Sequence, residues 1–216
     1  FGQAATAVLM VLYPAISRKI NRKPLMGVMI VTAAVGYVVM FVIGAFMPSS
    51  SPSLKCWLMT AGYMLANFGQ YSFYLIMMIS ILNTVEYNEL TRGERDEAII
   101  ASLRPFLTKL ASALISVITY VCYIVFGVLN YTNEISELER LTSMGELSEA
   151  AKLGEIADVI TKVQPGQKFG LLVCITLVPF IFMFVSYVLY KKHYKLDEGE
   201  YDRICKELAA RKVTEA

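Results

Sequence analysis

Four runs of this sequence are apolar for long enough to cross a lipid bilayer, and that condition leaves few folds open. A helix needs about 20 predominantly apolar residues to span the hydrocarbon core. Pro24–Met47, Lys55–Asn83, Ala98–Leu129 and Phe169–Tyr190 each supply that length. Lipid offers the backbone no hydrogen-bond partner, so an apolar span of this kind satisfies its own amides as a helix. The expected class is therefore an all-α integral membrane bundle. Charged residues make up 18% of the chain, against about 25% in ordinary soluble domains, which agrees. A further run, Phe1–Tyr13, has the right composition but too few residues. It lacks the charged lead-in of a signal peptide, and reads as a helix cut by the start of the chain, as in the C-terminal piece of a longer membrane protein.

Charge placement predicts the orientation. Arg18, Lys19, Arg22 and Lys23 crowd the short loop Ser17–Lys23. The loop Thr84–Glu97 adds Arg92 and Arg95, and the tail from Lys191 adds seven more Lys and Arg. The opposite side has only Lys55, Arg140, Lys152, Lys162 and Lys168. Cytoplasmic loops carry the excess of Lys and Arg, so the expectation is a multi-pass plasma-membrane protein with a cytoplasmic C-terminus.

Along the chain, Gly27, Gly36 and Gly44 mark the first complete span as a close-packing helix. "MPSSSPS" (Met47–Ser53) is a turn by composition. The second span carries Asn67, Gln70, Tyr71 and Tyr74 at offsets that share one helix face. Such a face points at water or at other helices; a water-filled pathway and interhelical hydrogen bonds both fit it. Pro105 lies early in the third span, where it either kinks the helix or sits within a tolerant start. The segment 130–168 is too polar to span and is expected outside, as a solvated loop with one or two short amphipathic helices closed by "QPG" at Gln164–Gly166. The tail, 196–216, reads as a helix capped by Asp197, with Tyr201, Ile204 and Leu208 on one side. Cys56, Cys122, Cys174 and Cys205 lack metal-ligand spacing and read as small packing residues, and His193 as part of a basic collar. No nucleophile–base pair, phosphate loop or nucleic-acid patch is present, so neither an enzyme nor a nucleic-acid partner is expected.

The sharpest feature is a pair of cations inside a span. With Ala98 at the membrane entry and 1.5 Å per residue, Arg104 lies about 9 Å in and Lys109 about 16 Å in, near the midplane. Arg104 can snorkel back to the interface. Lys109 has farther to reach, and a lone charge there costs several kcal/mol. None of the four spans contains Asp or Glu. Lys109 therefore implies a carboxylate on a membrane segment outside this chain. Competition between its ammonium and Na⁺ or H⁺ for that carboxylate is a natural coupling element; a buried ion pair fixing two helices is the structural alternative.

"NTVEYNELTRGERDEAIIAS", running from Asn83 and followed at Lys109 by a lysine, resembles the loop of the glycoside–pentoside–hexuronide:cation symporters, the melibiose permease family of the major facilitator superfamily. Glu86, Tyr87, Glu89, Arg92, Arg95, Glu97 and Lys109 fit the family pattern. "YPAISRKINRK" (Tyr13–Lys23) is similar to the basic loop after that family's eighth helix. The resemblance implies a C-terminal half-bundle, about helices 8–12 of 12, within residues 1–195. It implies secondary transport: a sugar, glycoside or hexuronide moving with Na⁺, Li⁺ or H⁺ by alternating access. The coupling cation is then bound mainly by the absent N-terminal half, and no other cofactor is implied. By the same resemblance Lys109, Tyr74, Arg104 and Thr108 line the substrate path; Asn67, Gln70 and Tyr71 join them as candidates from the polar stripe alone. Asn83, Glu86, Tyr87, Glu89, Arg92, Arg95 and Glu97 belong to the cytoplasmic gate. Two departures stand out. Asn83 replaces the family's Asp, and Asn88 its Gly. Arg104 is an added cation that suits either an acidic substrate or a gate pair with Glu86, Glu89 or Glu97. A lipid or other non-sugar carrier of the superfamily, and a non-transporting membrane sensor or scaffold, are the competing readings.

Overall fold

The computed structural model describes residues 3, 6, 7, 11, 13, 14, 20–48, 52–93 and 97–215. Among the described residues from Arg22 onward, eight helices follow one another: α1 (Arg22–Phe46), α2 (Pro52–Leu82), α3 (Thr84–Arg92), α4 (Glu97–Val125), α5 (Leu129–Ser143), α6 (Glu149–Lys162), α7 (Pro165–His193) and α8 (Glu198–Glu215). Four of them, α1, α2 (continued by α3), α4 and α7, are long and apolar enough to cross a membrane. The all-α membrane bundle expected from the sequence is the fold observed. The span Phe1–Tyr13 and the loop residues 17–19 lie largely outside the described residues, as does Arg95.

The chain divides into two compact units, Phe1–Thr108 with Thr176–Ala216, and Lys109–Ile175. In the first, α1 and α2 pack along a seam of small residues. The buried positions of α2 (Gly62, Ala66, Gly69, Phe73, Ile76 and Ser80) alternate at spacings of four and three, and face Met26, Met29, Ala33, Gly36 and Met40 of α1. A Cβ on Gly69 would sit 2.6 Å from the backbone N of Ala33 and the carbonyl of Met29. One on Gly36 would meet the Ala66 backbone and come within 2.7 Å of the Gly62 carbonyl. In lipid the helices are not driven together by hydrophobicity, so direct backbone contact through small residues supplies the dispersion energy. Of the three glycines in the first span, Gly36 has this role. Leu25, Met26, Met29 and Ile30 also meet Met183 and Tyr190 of α7, and the Tyr37 ring packs edge-on against Phe180.

The outer flank of α1 is a valine stripe, Val28, Val31, Val35, Val38 and Val42, all exposed. An aqueous surface would not carry it; a bilayer or a second bundle would. The α1 C-terminus is closed from the next helix, since Lys55 Nζ donates to the carbonyls of Gly44 (3.3 Å) and Met47 (2.9 Å).

Several expected boundaries shift. The stretch Thr84–Glu97 is not simply a loop: Thr84–Arg92 is helical, with Glu86 in its first turn and Arg92 in its last, each complementing the helix dipole. It stops at Gly93, whose φ of +74° a residue with a Cβ adopts only under strain. The third span ends at Val125 rather than Leu129, because Gly127 turns the chain at φ +64° into a new helix. "QPG" does not merely close the outer segment: Pro165 is the first residue of α7, where its missing N–H costs nothing. Segment 130–168 is mostly two helices rather than loop. Ser148 caps α6 by accepting from the Ala151 N–H, and Lys162 reaches Glu134 of α5 at 3.6 Å.

Candidate functional site

The helix carrying the two cations is continuous from Glu97 to Val125, with Pro105 inside it at the ninth position. Pro105 is thus in the helix interior and not within a tolerant first turn. Arg104, Thr108 and Lys109 are all exposed on this helix. Thr108 turns its hydroxyl back to the Arg104 carbonyl at 2.9 Å. Neither Arg104 nor Lys109 forms an ion pair through its side chain among the described residues. The gate pair suggested for Arg104 is therefore not made here.

The polar stripe of the second span divides in two. Asn67 donates from Nδ2 to the Tyr63 carbonyl of its own helix (2.9 Å), and Gln70 Oε1 accepts from Tyr37 Oη of α1 (3.3 Å). Gln70 thus makes an interhelical hydrogen bond of the kind weighed from the sequence, while Asn67 bonds back to its own helix. Tyr71 and Tyr74 are 45% and 40% exposed, and stand on the flank opposite the small-residue seam. That leaves them free to face water, substrate or a second bundle.

Of the gate candidates, Asn83 meets a side chain that the sequence marked only as an orienting charge. Arg22, the first residue of α1, is the hub at the end of the unit where α3 and α8 also lie. Glu198 of α8 accepts from Arg22 twice through Oε1: from Nε at 3.1 Å and from the backbone N–H at 2.6 Å. Asn21 stands at the N-cap of α1 without a side-chain capping bond. The tail carboxylate does that work instead, satisfying an orphan N–H and placing negative charge at the positive end of the helix dipole. Asn83, 6% exposed, turns its amide oxygen to the Arg22 guanidinium and donates from Nδ2 to the Ile79 carbonyl at 3.2 Å. Arg22 also lies over the Tyr201 ring, 5.7 Å from its centroid.

Burial, a contact with the Cys205 thiol and the nearby charge of Glu86 push the Tyr201 phenol up to about 12. It stays neutral through the physiological range, and the ring keeps its face to the cation. Next to it, Tyr190 and Tyr194 stack at 4.5 Å. Ser80 Oγ donates to the Ile76 carbonyl (2.8 Å), so Tyr190 Oη is the donor in their 3.0 Å contact, while Tyr194 Oη donates to the Ser80 carbonyl at 3.3 Å.

The tail helix docks on this end as well. Leu196, Ile204 and Leu208 form a small core with Leu90 of α3, and Arg211 Nη1 donates to the Leu90 carbonyl at 3.3 Å. Asp197 caps α8 as expected, accepting from the Glu200 N–H at 2.9 Å. Of the other gate candidates, Glu86 and Glu89 are half-buried, whereas Tyr87, Arg92 and Glu97 are exposed; Arg95 lies outside the described residues. No sequence signal singled out Arg22 and Glu198, because the stretch next to Asn83 has carboxylates of its own at Glu86, Glu89 and Glu97.

A family model described as MFS/sugar transport protein matches residues 1–198. The chain belongs to that family. It is 27% identical over 103 residues to the raffinose carrier protein of Pediococcus pentosaceus, covering 48% of this chain and 15% of the relative. It is 28% identical over 102 residues to the lactose permease of Leuconostoc lactis, covering 47% and 14% respectively. With the lactose permease of Lactobacillus delbrueckii subsp. bulgaricus it shares 33% identity over 102 residues, 47% of this chain and 15% of the relative. The aligned stretch is thus about half of this chain and a small part of each relative. No solved structure matches. The major facilitator resemblance read from the gate motif is borne out, and with the four apolar helices it makes this a multi-pass membrane protein.

Proposed function

We propose that the chain is the C-terminal half-bundle, about helices 8–12 of 12, of a cation-coupled symporter for a sugar or glycoside, with its tail in the cytoplasm. The observation that carries this is Lys109: a cation set deep in a spanning helix, exposed on its flank, and without an ion pair among the described residues. Intramembrane charge of this kind marks a transport pathway. Its counter-charge belongs to a first half of the protein, where a carboxylate shared between the ammonium and Na⁺, Li⁺ or H⁺ couples ion to substrate. Lys109, Arg104, Thr108, Tyr71 and Tyr74 are the lining candidates. The end formed by Arg22, Asn83, Glu86 and Glu198 acts as the cytoplasmic gate. The relatives are named for lactose and raffinose, so galactosides are the first substrates to try. The chain is a carrier, and no bond chemistry is assigned to it.

The test is uptake of labelled lactose or raffinose by full-length protein in proteoliposomes under an imposed Na⁺ or H⁺ gradient. Accumulation above the external concentration with one gradient, lost when that gradient is collapsed, is the expected result. Entry that never exceeds equilibration under either gradient would remove the coupling. No entry of any sugar tried would turn the reading toward a non-sugar carrier.

A further inference from the structure

We propose that Cys122 and Cys174 are a disulfide-forming pair that staples α4 to α7 at the end of these helices predicted to face outward. The two Sγ atoms approach to 2.7 Å. Non-bonded heavy atoms rest about 3.5–4.0 Å apart, and a disulfide is about 2.0 Å long. The pair is thus closer to bonding distance than to packing distance. Both cysteines are free thiols in this structure.

Neighbouring contacts bring the same two helix ends together. Both residues lie within the unit Lys109–Ile175, and the neighbouring contacts between these ends of α4 and α7 follow an antiparallel order. One helical turn beyond Cys122, Phe126 packs against Gly170, which lies one turn back from Cys174. A Cβ on Gly170 would fall inside the Phe126 ring, so the bare glycine lets the two helices close up there. Beyond that, Gln167 Nε2 donates to the Gly127 carbonyl at 3.0 Å. These two contacts, in one antiparallel order, hold the cysteines face to face. Packing alone would be satisfied by two small residues of any kind. A metal site would need further ligands, and among the described residues no group of three metal-ligating side chains exists.

Cys122 is three residues from the end of α4, about 5 Å from the turn by helical rise. It is partly exposed, as is Cys174. Nearness to the turn at Gly127 is what brings the pair within reach of a small disulfide oxidant RSSR at the outer interface. One thiolate attacks RSSR and expels RS⁻; the other attacks the mixed disulfide and expels the second RS⁻. The net change is two Cys–SH plus RSSR to one Cys122–Cys174 disulfide plus two RSH, with the two electrons ending on the oxidant. The product closes residues 122–174 into a loop and pins the base of the α5–α6 hairpin.

The loop between the cysteines contains Arg140, Lys152, Lys162 and Lys168, so trypsin can sever it while leaving both cysteines in place. Full-length protein in sealed right-side-out vesicles, which keep the Lys- and Arg-rich tail from the protease, is treated with oxidised glutathione, blocked with N-ethylmaleimide, cut with trypsin from outside and run without reductant. An antibody to the tail reports the fragment carrying Cys174. The expected result is a tail fragment linked to the piece carrying Cys122, released by dithiothreitol, and at least tenfold less abundant in Cys122→Ser and in Cys174→Ser. Fragments that separate without reductant in the oxidised wild type would overturn the proposal, as would linkage that persists in Cys122→Ser. If the serine variants do not accumulate, mass spectrometry of the oxidised wild type decides: a Cys122–Cys174 cross-linked peptide supports the pair, and two separately blocked cysteines refute it.

Discussion

Replacing Glu198 by alanine removes the carboxylate that ties the tail helix to the start of α1, and its cost can be worked from the geometry. Oε1 makes one contact to the Arg22 guanidinium at 3.1 Å and one to the Arg22 backbone N–H at 2.6 Å. Hydrogen bonds to charged groups contribute about 1.5–3 kcal/mol when enclosed, and exposed ion pairs about 0.2–1 kcal/mol. Here the two side chains are 21% and 31% exposed, between those limits, and solvent screens part of the attraction. Asn83 and the Tyr201 ring remain to hold Arg22. The loss should be about 1–2 kcal/mol of tail docking, a roughly 5–30-fold rise in the undocked population. Hydrogen exchange of the 198–215 amides in the full-length protein reads this directly, as a rate increase of that size. Glu200→Ala is the control: Glu200 pairs with Arg203 on its own helix, and its loss should change exchange less than about twofold. Arg22→Met keeps the backbone N–H contact but loses the guanidinium and its Tyr201 contact, so it should also raise exchange, and the double variant should cost less than the sum of the two. Equal effects from Glu198 and Glu200, or full additivity of Arg22 and Glu198, would show that the clamp does not hold the tail.

Gly69→Ala should lower the melting temperature of the detergent-solubilised protein by several degrees, because its Cβ meets α1 backbone at 2.6 Å. Gly154→Ala, with open space around it, should leave that temperature unchanged or raise it slightly; the reverse order would contradict the seam. Arg104→Gln should relax any preference for anionic sugars, and an unchanged ratio of uronide to neutral-sugar uptake would remove Arg104 from substrate selection. A cysteine placed at Ser143 should react with an impermeant maleimide on intact cells; labelling only after permeabilisation would invert the predicted topology.

The spans were legible because each needs only length and apolarity, and the small-residue face of α1 because Gly36 has no other use there. The tail cap at Asp197 was legible from a local pattern. What escaped the sequence depends on distant partners. The α1 N-terminus lies next to Asn21 in sequence, yet Glu198, far along the chain, caps it. Arg22 read as one of several orienting basic residues, since no local pattern separates an orienting charge from a clamping one. Cys122 and Cys174 read as isolated packing residues because an antiparallel register across the α5–α6 hairpin leaves no periodicity to find. Gln70 and Tyr74 share a face by spacing, but only the neighbouring helix decides that one is engaged and the other open. Pro179, inside α7, was passed over because an apolar run reads the same with or without a proline in it.

The most direct test of the central claim is sugar accumulation by Lys109→Ala in the full-length protein, with surface expression matched to the wild type. A cation that competes with the coupling ion should be indispensable for work against a gradient. The account predicts that accumulation is lost while the protein still inserts and folds. Accumulation at the wild-type level would mean that Lys109 is not part of the coupling machinery, and the transport pathway would have to be sought on another face of the bundle.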